Sequence, residues 1–139
     1  MNAKDGIETT SVALERWLDE ARALVDAGYT RFIDLTAFDE PERAPRFELH
    51  LVVYSMNEKR WRRITTRTDD KIASVVSIFL GAHNYEREVF DLFGVIFEGH
   101  PGLTRILLPD GWRGHPLRRD EPLVVEPVDF TITRSVYRT

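Results

Sequence analysis

The stretch RFELHLVVYSM, residues 46–56, alternates: Phe47, Leu49, Leu51 and Val53 are interleaved with Arg46, Glu48 and His50. Side chains on an extended strand point to opposite faces in turn, so a period of two marks a strand with one face buried. Such a strand needs a pairing partner and a layer to cover its apolar face. The partner comes at once. Asn57–Lys59 turns the chain into RWRRITTRT, and the two runs predict an antiparallel hairpin. Arg31 to Phe38 reads as a further strand, and the two prolines of DEPERAP (Asp39–Pro45) stop pairing between it and the hairpin.

Helices supply the covering layer. Leu14, Trp17, Leu18, Ala21, Leu24 and Val25 recur at helical spacing, with Thr10 or Ser11 as the cap and Gly28 as the stop. Ile72, Val75, Val76, Phe79 and Leu80 form a second stripe, which predicts a helix capped by Thr68 or Asp69 and ended by Gly81. A third helix is predicted from about Tyr85 to Phe93. The expected order is α-β-β-β-α-α: an α+β fold with a small, mostly antiparallel sheet packed by helices on one face. After Val95 no period persists, and prolines 101, 109, 116, 122 and 127 interrupt the chain. Leu103, Ile106, Leu107, Leu108, Trp112 and Leu117 make this segment too apolar for disorder, so it reads as an ordered, irregular docking strap. The expected organisation is an α+β domain over 1–95 and an extended strap and tail over 96–139, within the same domain or docked on a partner. The end, DFTITRSVYRT, alternates like a strand.

Composition removes several function classes. The 139 residues suit one domain, and a net charge of −4 argues against a general nucleic-acid or anionic-lipid binder. With no cysteine, the chain has no thiolate for an iron–sulfur cluster or zinc, no thiol nucleophile and no disulfide. The first twenty residues resemble neither a signal nor a transit peptide, and no run approaches the ~18–20 apolar residues that span a bilayer. The expectation is a cytoplasmic chain that meets a membrane only through partners.

Chemistry-bearing residues concentrate in NYEREVFDLFGVIFEGHPGLTRILLPDGWRGHPLRRD, residues 84–120. On a helical wheel Tyr85, Val89, Leu92, Phe93 and Ile96 share one arc, and Arg87 and Asp91 are placed to pair on the far side. Glu86 and Glu88 fall in the first turn, where the helix dipole favours anions. They project about 200° apart and cannot serve one substrate as an acid/base pair. Glu88 and Asp91 can face together, as two carboxylates on a solvated face. Glu88, Asp91, His100 and His115 are metal-ligand types, but no HExxH or Glu-x-x-His spacing joins them. Both histidines precede proline, which favours an extended residue bonded to nearby backbone. No phosphate-binding glycine motif occurs. KRWRRITTR is a basic strand with an aromatic, the best nucleic-acid feature present and equally a solvated sheet face. Arg105, Arg113, Arg118 and Arg119 lie among the strap's apolar residues, a combination enriched at protein interfaces.

The run YEREVFDLFGVIFEGHPGLTRILLPDGWRGHPLRRDEPL resembles the signature region of the 30-kDa subunit, the C subunit, of proton-translocating NADH:quinone oxidoreductase, respiratory complex I. Glu86, Arg87, Glu88, Asp91 and Gly94 match its Glu-Arg-Glu motif. His100-Pro101, Leu103, Arg105 and Gly114-His115-Pro116-Leu117-Arg118-Arg119 follow at its spacings. Asn84 stands where the family usually has tryptophan, and Thr104 where a basic residue is common. The resemblance implies a small α/β domain with no cofactor or catalytic site of its own. It implies docking on the D, B and I subunits at the cytoplasmic face of the bacterial inner membrane, with FMN, iron–sulfur clusters and quinone on other subunits. Those matching residues would form the motif and docking surface. Related subunits of energy-converting hydrogenases and of ferredoxin- or F420-linked dehydrogenases fit the same pattern. A small metal-dependent enzyme is a more distant alternative.

Overall fold

The hairpin forms as the alternation predicts. In the computed structural model, which describes residues 4–120, the chain runs through nine elements. They are β1 (Glu8–Ser11), a 3-10 turn (Leu14–Arg16), α1 (Trp17–Asp26), β2 (Arg31–Asp39), β3 (Phe47–Ser55), β4 (Arg60–Thr68), β5 (Lys71–Ala73), α2 (Ala82–Phe93) and β6 (Ile96–Glu98). β3 and β4 are antiparallel and in unbroken register from Phe47↔Thr68 to Ser55↔Arg60. β2 joins antiparallel on the other side of β3, with an irregularity between Phe32 and Asp34. The main sheet has the order β1-β4-β3-β2, and β5 and β6 make a separate parallel pair. This is the expected α+β class.

Phe47, Leu49, Leu51 and Val53 all point into the core, joined by Leu35 and Ala37 of β2 and Ile64 of β4. α1 covers them with Trp17, Ala21 and Leu24, spaced three and four apart. Each fully buried side chain of this size contributes about 1.5–3 kcal/mol. α1 stops where expected: Gly28 takes φ +95°, a conformation open to glycine, and its N–H bonds the Val25 carbonyl.

Four expectations are corrected. Glu8–Ser11 is a strand rather than a helix lead-in, because the edge of β4 is free to pair with it at Arg62–Thr65. Thr10 and Ser11 therefore cap nothing, and α1 begins later, after the 3-10 turn. The stripe from Ile72 to Leu80 is not a helix. Lys71–Ala73 pairs with Ile96–Glu98, and Ser74 N–H bonds the Glu98 carbonyl. Val75 N–H goes to the Glu86 side chain, and a turn closes from Ile78 and Phe79 back to Val75. Ile72, Val75, Val76 and Phe79 are buried all the same, so a helical spacing is satisfied by a strand and a turn. The third predicted helix, α2, starts at Ala82 instead of Tyr85. The run after Val95 opens with β6, a strand of three residues that is too short to show a period. DFTITRSVYRT lies outside the described residues.

Among the described residues no helix is long and apolar enough to cross a membrane.

Leu80 separates the turn from the expected helix, since it is 79% exposed where the stripe would bury it. Leu80→Ser should change stability by no more than about 0.5 kcal/mol, and Leu51→Ala should cost about 2–5 kcal/mol. Urea unfolding of the two variants measures both. A loss above about 2 kcal/mol in Leu80→Ser would restore the helix.

Candidate functional site

α2 lies between the core and the strap, and it buries a carboxylate on each side. Glu86 and Asp91 are five residues apart, which turns them roughly 140° around the helix axis. Both are 0% exposed.

Glu86 faces the core. Its carboxylate accepts the Val75 N–H at 2.7 Å and the Ser74 hydroxyl at 2.6 Å. Burial pushes its pKa up to about 7, against the lowering effect of those two bonds. The His100 ring stands beside it, with Nε2 4.0 Å from Glu86 Oε2. His100 Nδ1 accepts the Gly102 N–H, so the proton sits on Nε2, which donates to the His83 carbonyl at 2.9 Å. The first Gly-His-Pro turn is thereby attached to the start of α2.

Asp91 faces the strap. One oxygen accepts from the Arg105 guanidinium at 2.7 Å, and the other from the N–H groups of Ile106, Leu107 and Leu108 at 3.2, 2.8 and 2.9 Å. Burial alone would raise its pKa, but Arg105 and the three amides outweigh burial and hold it below the ordinary value. Arg105 continues inward, donating to the carbonyls of Trp112 and Gly114. Arg87 holds the preceding residues by donating to the carbonyls of Thr104 and Arg105.

The strap in turn caps the C-terminus of α2, where helical carbonyls lack partners within the helix. Arg105 and His115 Nδ1 donate to the Asp91 carbonyl, and Leu117 N–H to that of Leu92. Gly94 ends the helix at φ +79°, and a side chain there would meet the His115 ring at 2.7 Å.

The strap finishes at the end of the main sheet. Asp39, the last residue of β2, accepts two bonds from Arg46 and one from the Arg119 N–H. Arg46 also grips the Asp120 carboxylate through both terminal nitrogens, and its pull holds the Asp120 pKa down to about 2. Arg46 and Arg118 both lie over the Phe47 ring, 5.2 and 5.4 Å from its centroid.

This arrangement revises the expected roles. Glu86 and Glu88 lie beyond the first turn of α2, which starts at Ala82, and Glu86 is buried. Asp91 pairs with Arg105 across the strap and not with Arg87 along the helix. Glu88 and Asp91 therefore do not form a solvated carboxylate pair. The four candidate metal ligands do not converge. His100 docks beside His83 and His115 beside Asp91, roughly 12 Å apart along the helix at 1.5 Å per residue. Among the described residues no three metal-capable side chains come together. In the basic strand, Arg62, Arg63 and Arg67 are each paired with carboxylates, to Glu8, Asp5 and both Glu48 and Glu40. Ser74, Asp39, Arg46 and Asp120 belong to this network and were not singled out by sequence. Their partners lie as far as 80 residues away, beyond any local pattern.

Apolar and cationic side chains remain outward on the strap, together with the exposed carboxylate of Asp110. Leu107, Leu117 and Ile106 are exposed, at 60%, 52% and 37%. The Arg113 and Arg119 guanidinium groups meet no partner among the described residues.

The family described as respiratory-chain NADH dehydrogenase, 30 Kd subunit, matches residues 10–126. The NADH-quinone oxidoreductase C subunit of Ruegeria pomeroyi is 41% identical over 108 residues, covering 76% of this chain and 54% of the relative. The C subunit of a Roseiflexus species is 40% identical over 127 residues, covering 87% and 73%. The chain spans about half the length of several curated relatives it matches, 54% and 48% for the two Ruegeria proteins. Two solved structures share the fold. A trypsin-resistant fragment of Nqo5 aligns with TM-score 0.65 at 24% identity, over 68% of this chain and 81% of the fragment. A chain of the membrane-bound sulfane sulfur reductase, an archaeal respiratory membrane complex, aligns with TM-score 0.75 at 22% identity, over 94% of this chain and 77% of that one.

Two consequences are measurable on the purified chain. Asp91→Asn leaves Arg105 without its counter-charge, and breaking a buried pair costs about 3–5 kcal/mol. Hydrogen exchange should quicken at Ile106–Leu108, and unchanged exchange there would refute the clamp. Glu86 gives the opposite sign to an ordinary acid. Its folded pKa of about 7 lies above the unfolded 4.5, so unfolding between these values releases a proton. Stability should therefore fall as pH rises through that window, by up to about 3 kcal/mol at ~1.4 kcal/mol per unit. Glu86→Gln should flatten the slope in urea titrations at successive pH values.

Proposed function

Because this chain belongs to the respiratory-chain NADH dehydrogenase 30 kDa subunit family, we propose that it is a cofactor-free assembly subunit in the peripheral arm of an NADH:quinone oxidoreductase. The strap is its docking element. The observation that carries this reading is the contrast between the strap's two sides. Its polar groups are consumed inward by Asp91, Arg87 and Asp39, while Ile106, Leu107 and Leu117 are held outward beside Arg113 and Arg119. Exposed apolar anchors on a rigid backbone bind without a large ordering cost, and unpaired arginines suit a protein interface.

The motif residues divide by task. Glu86, Arg87, Asp91, Gly94, His100, Arg105, Gly114 and His115 shape the strap from within. Leu103 is half-buried against the core. Pro101, Pro116 and Leu117 lie at its surface, where Arg119 also projects. The partners are the neighbouring D, B and I subunits, and the chain reaches the cytoplasmic face of the membrane only through them. FMN, iron–sulfur clusters and quinone belong to other subunits of the complex. The chain's contribution to electron transfer is to hold them in place.

Purification from native membranes tests the proposal. The chain should co-purify with B, D and I, and the double change Leu107→Asp, Arg113→Glu should lower its recovery in the complex at least tenfold. Both sites are exposed, so the isolated variant should keep its unfolding midpoint. Recovery as a monomer without those partners would overturn the reading.

A further inference from the structure

β2 is the last strand of its sheet and pairs only with β3 among the described residues. The backbone groups along its outer edge are a ready template for another extended chain. A groove of about 150 Å³ follows that edge, between β2 and the flank of α2, and Leu35, Thr36, Ala37, Glu88, Leu92 and Leu117 line it. The Arg119–Asp39 bond holds the strap to the last residue of β2, two residues beyond the groove-lining Ala37 and Leu117.

Glu88 gives the groove its chemistry. α2 carries three carboxylates, and two of them, Glu86 and Asp91, are buried and bonded. Glu88 is exposed on the rim and has no partner among the described residues. An open strand edge, apolar walls and one unpaired acid together select an extended, apolar segment that carries a cation.

We propose that the β2 edge docks an extended segment of a neighbouring subunit, which adds a strand to the sheet and places a lysine or arginine against Glu88. Strand addition takes its affinity from main-chain bonds and its specificity from alternate side chains. Three residues of β2 line the groove, so the docked run is short, about 10 Å at 3.3 Å per residue. A second copy paired through the same β2 edge would bring its own Glu88 rim to the site, like charge toward like. The proposal rests on the reading of the chain as an assembly subunit.

Site-specific photo-cross-linking in native membranes tests it. Benzoylphenylalanine replaces Leu92 in the full-length chain, with the same group at Trp61, on the far side of the sheet, as control. After irradiation, mass spectrometry identifies the attached peptide. The expected product is one segment of a partner subunit containing lysine or arginine, formed from position 92 and absent from position 61. Glu88→Gln should lower its yield at least fivefold, and Glu88→Lys should abolish it. Attachment to residues 121–139 of the same chain or to a second copy would overturn the proposal. So would the absence of any product, or a yield unchanged in both Glu88 variants, while the chain still co-purifies with B, D and I. Loss of that co-purification in the wild type would instead overturn the assembly reading, and the docked strand with it.

Discussion

Asp91 is fully buried, and a buried charge of that kind costs several kcal/mol unless its lone pairs are met. Four donors meet it, and all four come from Arg105–Leu108. The carboxylate thus decides the path of a segment that has almost no regular structure. The dependence is mutual. The last carbonyls of α2 find their donors in Arg105, His115 and Leu117, so the helix end and the strap complete each other. An irregular backbone this near a core is stable only when its polar groups are satisfied in this way.

Glu86 performs the related task on the opposite face of α2. It takes the Val75 N–H that a helix through residues 72–80 would have used internally. The segment is released to form β5, which pairs with β6 as the chain leaves α2. One carboxylate therefore organises the chain before the helix, and the other the chain after it. The difference in their environments explains their opposite pKa directions. Asp91 faces a guanidinium, whereas Glu86 has only neutral donors, and burial drives it toward the protonated form.

The strap's far end is held by a third charged cluster, Asp39–Arg46–Asp120. With both ends and the middle fixed, Ile106, Leu107 and Leu117 remain on the outside. The family's matched region spans the sheet, α2 and the strap together, residues 10–126. That fits a unit whose rigid display surface needs all three.

The sequence by itself determined the strands β2, β3 and β4 and the end of α1 at Gly28. Alternation in residues 47–53 is a one-dimensional pattern that a single buried face imposes, and Gly28 stands where a left-handed residue ends a helix. It also determined the family, because the motif residues around Glu86–Asp91 and the two Gly-His-Pro turns are local. The tertiary structure alone decided where those residues point. Spacing showed that Glu86 and Glu88 could not share a face, but it could not show that Glu86 and Asp91 are both buried, on two different faces. That depends on Ser74 and Arg105, which reach the helix from opposite sides. The stripe from Ile72 to Leu80 failed for the same reason. A helix and a strand–turn bury nearly the same apolar residues, and only the distant partners, Glu86 and β6, choose between them.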